Sequence, residues 1–275
     1  MKTIRLIVEG AEHGVEADVT FDARSVAVAE ERQIKNYGAI QMMDVTRFTQ
    51  NGTWSGWVAI DGKRIEIDPA VARGTRDRSW GVRPVGEPAG GAPGTRAPQI
   101  FWLWAPLNFD DRTTYIAVFD DDKGSRFYQH SLIAPVRRGA DDPYIEDGTV
   151  AELMRETEFT IDWEPGTRRA RAATMTLHPF SGPDHELTFD VLYTFQMAGI
   201  GYSHPEWAHG VWKGELAVAG DEWKLADVDP MAPHNLHIQN MCKVTLDGVP
   251  GWGILEQIAI GAHPTGLTGI LDPYQ

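Results

Sequence analysis

Residues 168–195 read RRARAATMTLHPFSGPDHELTFDVLYTF. In the second half, Leu187, Phe189, Val191, Tyr193 and Phe195 place an apolar or aromatic side chain at every second position. Successive side chains of a strand point to opposite faces, so this period gives a strand with one buried face. The run before the Ser-Gly-Pro-Asp turn supplies its hairpin partner.

The same punctuation recurs on either side. Residues 113–134, TTYIAVFDDDKGSRFYQHSLIA, form two β-rich runs around a DDKG turn, and 211–228, VWKGELAVAGDEWKLADV, repeat the scheme. Residues 44–67 hold three such runs, which Asn51-Gly52 and Asp61-Gly62 separate as hairpin turns. AELMRETEFTIDW (151–163) has a β-branched and aromatic tail before a Pro-Gly-Thr turn, which favours a long strand over a helix. No convincing helix of several turns is present. The expected class is all-β: two lipocalin-like antiparallel barrels or sandwiches packed together, with few helices.

The turn-rich segment VRRGADDPYIEDG (136–148) marks the expected boundary between an N-terminal domain, 1–140, and a C-terminal domain, 141–275. VTRFTQNGTWSGWVAI (45–60) and VTLDGVPGWGILEQI (244–258) echo each other, as two related sheets would. VGEPAGGAPGTRAP (85–98) is too long for a hairpin turn.

Composition narrows the function. The 275 residues are 42% hydrophobic, enough for a proper core, and carry 39 acidic against 25 basic side chains, a formal charge of -14. Such a surface repels polyanions, so nucleic acid is not the expected partner. No apolar run approaches membrane-spanning length, and MKTIRLIVEG lacks the apolar centre of a signal peptide. A cytoplasmic protein without membrane insertion is expected. Cys242, alone in the chain, excludes an internal disulfide and reads as a small buried hydrophobe.

Two fragments concentrate chemistry. GTRDRSWGVRP (74–84) sets Arg76, Asp77, Arg78 and Arg83 beside Trp80, and it holds either a piece of the protein or a substrate. GYSHPEWAHGVWKGEL (201–216) gathers Tyr202, His204, Glu206, Trp207, His209 and Trp212 among glycines. A histidine facing an apolar cavity can move a proton near neutral pH. FWLWAPLNF (101–109) alternates Phe101 and Leu103 with Trp102 and Trp104, so that one pair can line a cavity. In HNLHIQN, His234 and His237 would point to opposite faces of an extended segment, so no metal is expected. Nucleophile-elbow, P-loop and dinucleotide-binding motifs are absent, and no cofactor is expected.

The order of RDRSWGVR, GYSHPEWAHGVWKGEL and LDGVPGWGILEQIAIG (246–261) resembles a family of two-domain lipocalin-like proteins. That family is related to hydroxyneurosporene synthase (the carotenoid hydratase), to AttH-like proteins and to kievitone hydratase, and the resemblance runs from about residue 40 onward. It implies a pocket-side motif Asp-x-x-Trp-Gly at Asp77, Trp80 and Gly81, with Asp77, His209, Trp80 and Tyr202 as the nearest matches to the hydratases' site residues. Arg78 departs from the family pattern, which often has histidine there. Relatives also carry further strands before the point matched by Met1. Either the first barrel lacks leading strands and a partner chain closes it, or this is a shorter natural variant. An exposed TIRLIVE strand favours an oligomer.

The expected function is a cofactor-independent lyase or isomerase that hydrates, dehydrates or shifts a double bond in a hydrophobic isoprenoid or aromatic molecule. Asp77 is the expected acid, His209 the base and Tyr202 an auxiliary donor. Arg78 and Arg83 orient a polar end of the substrate, Trp80, Trp102 and Trp104 face a developing cation, and His204, Glu206 and Trp212 complete the lining. The rival readings are a carrier or sensor of an apolar carboxylate-bearing ligand and a structural subunit that completes a partner's barrel.

Overall fold

The computed structural model describes residues 2–37, 40–82, 99–146, 148, 150–200, 202, 204–208 and 211–275. Strands hold 58% of the chain, and helix among the described residues is confined to three single 3-10 turns, so the all-β class is established. No helix among the described residues is long and apolar enough to cross a membrane. The strands are β1 (Thr3–Gly10), β2 (Val15–Ala23), β3 (Val28–Ala29), β4 (Gln33–Tyr37), β5 (Ile40–Ile60), β6 (Lys63–Ile67), β7 (Arg73–Val82), β8 (Ile100–Trp104), β9 (Leu107–Asn108), β10 (Arg112–Asp120), β11 (Arg126–Pro135), β12 (Glu152–Trp163), β13 (Ala170–Pro179), β14 (His185–Gln196), β15 (His237–Leu246) and β16 (Val249–Ile260).

The chain forms two compact units, each discontinuous in sequence. One comprises Met1–Arg83, Ala134–Val150 and Trp212–Val228; the other comprises Pro84–Ile133, Ala151–Val211 and Asp229–Gln275. The boundary expected at residue 140 therefore falls inside the first unit's middle segment.

The first unit is a seven-stranded sheet organised by β5. One edge of this 21-residue strand pairs with β4, β3 and β2, and the other pairs with β7 and β6. The hairpin expected at Asn51-Gly52 is not there, because both residues lie inside β5. Gly52 sits against the ring of Phe21, and a Cβ at residue 52 would overlap that ring. The glycine thus serves close packing between strands and makes no turn. Asp61-Gly62 is the turn expected: both residues have positive φ, 49° and 75°, as a type I′ hairpin between β5 and β6 requires. Among the described residues β1 is an edge strand that pairs only with β2, and Leu6, Ile7 and Val8 on it are exposed.

Residues 211–228 differ from expectation. Despite their alternating pattern they contain no strand, only a 3-10 turn at Leu225–Asp227, and Trp212, Leu216 and Trp223 are exposed. Alternation specifies a strand only where a partner edge accepts it.

In the second unit, eight strands close into a barrel, β8-β10-β11-β12-β13-β14-β15-β16, and the short β9 pairs with β10 and β16. The expected β13–β14 hairpin is present, with Leu187 and Phe189 fully buried. The barrel interior is filled. Phe101, Leu103, Ile116, Val118, Met175 and Val244, with neighbours from every barrel strand, form one buried apolar cluster. Buried polar groups beside this cluster are linked to one another. Asn240 donates to Gln257 at 3.0 Å, Gln257 donates to the Arg168 carbonyl at 2.8 Å, and Thr194 donates to Asn240 at 2.8 Å. Each buried polar side chain of that chain has a partner, as burial demands.

Candidate functional site: a histidine–glutamate pair on the barrel's outer face

Because Phe101 and Leu103 fill the barrel, the period of two turns Trp102 and Trp104 outward. Cross-strand register extends this face in rows. Phe195, Gln239, Glu256 and Trp104 stand opposite one another across β14, β15, β16 and β8. The next row is His237, Ile258, Trp102 and Phe119.

Where the two rows meet, polar groups converge on one carboxylate. Glu256 accepts from the Trp102 indole Nε1 at 2.8 Å and from Gln239 Nε2 at 2.5 Å. His237 Nε2 lies 3.5 Å from the carboxylate oxygen that Trp102 also reaches. The side chains of Glu256 and His237 are only 16% and 12% exposed. Burial pushes the Glu256 carboxyl upward, but the bonds and charge of His237, with the bonds from Gln239 and Trp102, outweigh it and hold the group below its usual range. Glu256 is therefore an anion at neutral pH, fitted to orient an imidazole rather than to give up a proton. With Nε2 turned towards Glu256, His237 Nδ1 is buried and has no hydrogen-bond partner.

Aromatic groups surround the pair. The Tyr202 ring meets the imidazole edge-on at 5.2 Å, while Trp102 packs against Phe119 at 5.6 Å and Tyr128 at 6.3 Å. Tyr193, Phe195 and Met241 continue the face as exposed apolar surface.

The residues singled out from sequence are thus distributed over both units. Trp102, Trp104 and Tyr202 belong to the barrel face. His204 Nδ1 accepts from the backbone N–H groups of Glu206 and Trp207 at 3.1 and 3.0 Å, which ties down its own turn. Glu206 and Trp212 are exposed. Asp77, Arg78 and Trp80 stand on β7 of the other unit, and all three are exposed. His209 and Arg83 lie outside the described residues.

The question raised by the RDRSW fragment has its answer at Arg76, which holds a piece of the protein. Its guanidinium lies over the rings of Phe21 and Phe48 and donates to Gln50 at 2.7 and 3.1 Å. Trp80 shares this face, 6.2 Å from Phe48, while Asp77 stands on the opposite face across from Thr49.

Sequence reasoning missed Glu256 and set His237 aside with the metal reading. His234 does lie off the strand, in the turn Pro233–Asn235. Among the described residues no three His, Cys, Asp or Glu side chains come together as a metal site. The signal that existed was alternation in β15, which places His237, Gln239 and Met241 on one face. The partner on β16 required the register.

A family model matches residues 1–268. The chain belongs to that family, described as Family of unknown function (DUF8625). No curated protein matches this DUF8625 member. Among solved structures it is similar to kievitone hydratase from Nectria haematococca, at 17% identity over 94% of this chain and 65% of that one, with a TM-score of 0.45. It is also similar to a putative AttH from Nitrosomonas europaea, at 11% identity over 93% of this chain and 63% of that one, with a TM-score of 0.48. The chain spans less than two thirds of either protein's length. Both groups are among those that the sequence resemblance named.

Proposed function

We propose that the protein is a cofactor-independent lyase or isomerase of a hydrophobic small molecule, with His237 as its proton carrier. The observation that carries this reading is the His237–Glu256 pair, with its unpartnered Nδ1, on a face continued by Tyr193, Phe195 and Met241. The reaction class is the one the sequence resemblance implies.

The chemistry follows from the charges. Glu256 fixes the ring's orientation, as the carboxylate of a catalytic triad does. In dehydration, the His237 ring protonates a departing hydroxyl, the C–O bond breaks and water leaves. The neutral ring then takes the proton from the adjacent carbon, whose C–H pair becomes the double bond. Hydration is the reverse. Double-bond migration protonates one alkene carbon and removes a proton from another. Each path passes through electron-poor carbon, which the faces of Trp102 and Trp104 are suited to stabilise, and Tyr202 supplies an auxiliary hydroxyl.

The test uses the compound that native mass spectrometry finds bound to the purified protein. His237→Gln and Glu256→Gln should each lower its turnover by about 10²–10⁴-fold while the compound still binds. Asp77→Asn is measured beside them, since a comparable loss there would support the acid assigned from sequence. Full turnover in His237→Gln overturns the proposal, and a compound bound but never converted makes the protein a carrier.

A further inference from the structure

The barrel wall is not evenly paired. β11 and β12 pair only at Leu132–Leu153 and Ile133–Glu152, and beyond these residues side chains bridge the strands. Gln129 accepts from the Thr157 backbone N–H at 2.9 Å, Arg126 donates to the Thr157 carbonyl at 3.0 Å, and the Thr157 hydroxyl donates to Ser131 at 2.9 Å. The opening is a concavity of about 950 Å³, within the range of small-molecule sites.

Its floor is a second histidine–carboxylate pair, separate from the outer-face site. Asp120 is 2% exposed and held by a two-pronged contact from Arg126. His263, 6% exposed, stacks flat on Phe101 with centroids 3.5 Å apart. The Thr265 backbone N–H donates to His263 Nδ1, which places the ring proton on Nε2. That Nε2 points towards Asp120 Oδ2 but stops at 3.6 Å, and it has no hydrogen-bond partner.

The gap has a definite chemistry. A hydroxyl seated there accepts from Nε2–H and donates to the Asp120 carboxylate, so both groups are satisfied at once. Charge argues against an ionic ligand. Lys123, Arg126 and Arg155 in the lining are balanced by Asp120, Glu156 and Glu158, and Arg126 is already spent on Asp120, Gln129 and Thr157. The apolar lining comes from Phe159, Ile161 and Pro264, with Phe159 aligned with the Phe101–His263 stack.

We propose that the β11–β12 opening is a binding site for a neutral hydroxylated aromatic molecule, with its hydroxyl between His263 and Asp120 and its ring against Phe159 and Ile161. The site stands on its own residues, whatever the outer face does.

The probe is 2-naphthol, titrated by fluorescence against the full chain, with naphthalene as the control that lacks the hydroxyl. Naphthalene should bind at least tenfold more weakly. Ile161→Trp, which fills the opening, and His263→Phe, which keeps the stack but removes the donor, should each weaken 2-naphthol by tenfold or more. His237→Gln should leave its affinity unchanged. Equal affinity for 2-naphthol and naphthalene overturns the proposal. So does unaltered binding to Ile161→Trp, or loss of binding in His237→Gln alone; the last result would leave the outer-face reading intact.

Discussion

The indole N–H of Trp102 reaches the Glu256 carboxylate at 2.8 Å, from a residue 154 positions earlier in the chain. Trp102 therefore secures the anion that orients His237. Trp102→Phe keeps an aromatic ring but takes one donor from a buried carboxylate, a loss of about 1–3 kcal/mol. Urea unfolding at neutral pH should show a lower midpoint with an unchanged slope.

Acid should find the two buried carboxylates. At Asp120 burial pushes the pKa up, but the neighbouring His263 ring and the bonds and charge of Arg126 hold it below the usual range; Glu256 is depressed in the same direction. A carboxyl whose folded pKa is depressed adds stability above its unfolded value, about 4, and that stability is lost as pH falls through the folded value. The urea midpoint should therefore drop below about pH 4. Asp120→Asn should be less stable at pH 7 by about 3–5 kcal/mol, because Arg126 loses its buried partner, and its midpoint should fall less steeply on acidification.

Cys242 is fully buried in β15, and burial pushes its thiol up to about 12. A thiol of that kind holds almost no thiolate at neutral pH. An aromatic disulfide reagent should leave the native protein unlabelled for hours and titrate one thiol on addition of denaturant.

Gly52 is the tightest point between β5 and Phe21. Gly52→Ala forces the ring or the strand aside, and overpacking of this kind destabilises by about 1–3 kcal/mol. Thermal unfolding of the variant would measure it, and an unchanged midpoint would mean that the ring moves freely.

The strands were legible where each carries its own pattern. Leu187 and Phe189 alternate, turn at Ser-Gly-Pro-Asp and pair as the pattern requires. Asn51-Gly52 misled because a turn signal is local, whereas the demand on Gly52 comes from Phe21, a residue on another strand. Residues 211–228 misled the other way, having alternation without a partner edge. The outer-face site was half legible. Alternation in FWLW separates Trp102 from the core, but only the register of β8, β15 and β16 brings Glu256, Gln239 and His237 to it. His263 and Asp120, the last residue of β10, meet from positions far apart in the chain, with no spacing to announce them.

Hydration and double-bond migration deliver a solvent-exchangeable proton to carbon, and dehydration does so on its return step. The most direct measurement is to incubate the compound found bound by native mass spectrometry with the protein in D₂O, then extract it and analyse it for carbon-bound deuterium. The account predicts incorporation by the wild-type chain and none by His237→Gln. A compound recovered from the wild-type protein without deuterium on carbon would contradict it, and the outer face would then serve binding alone.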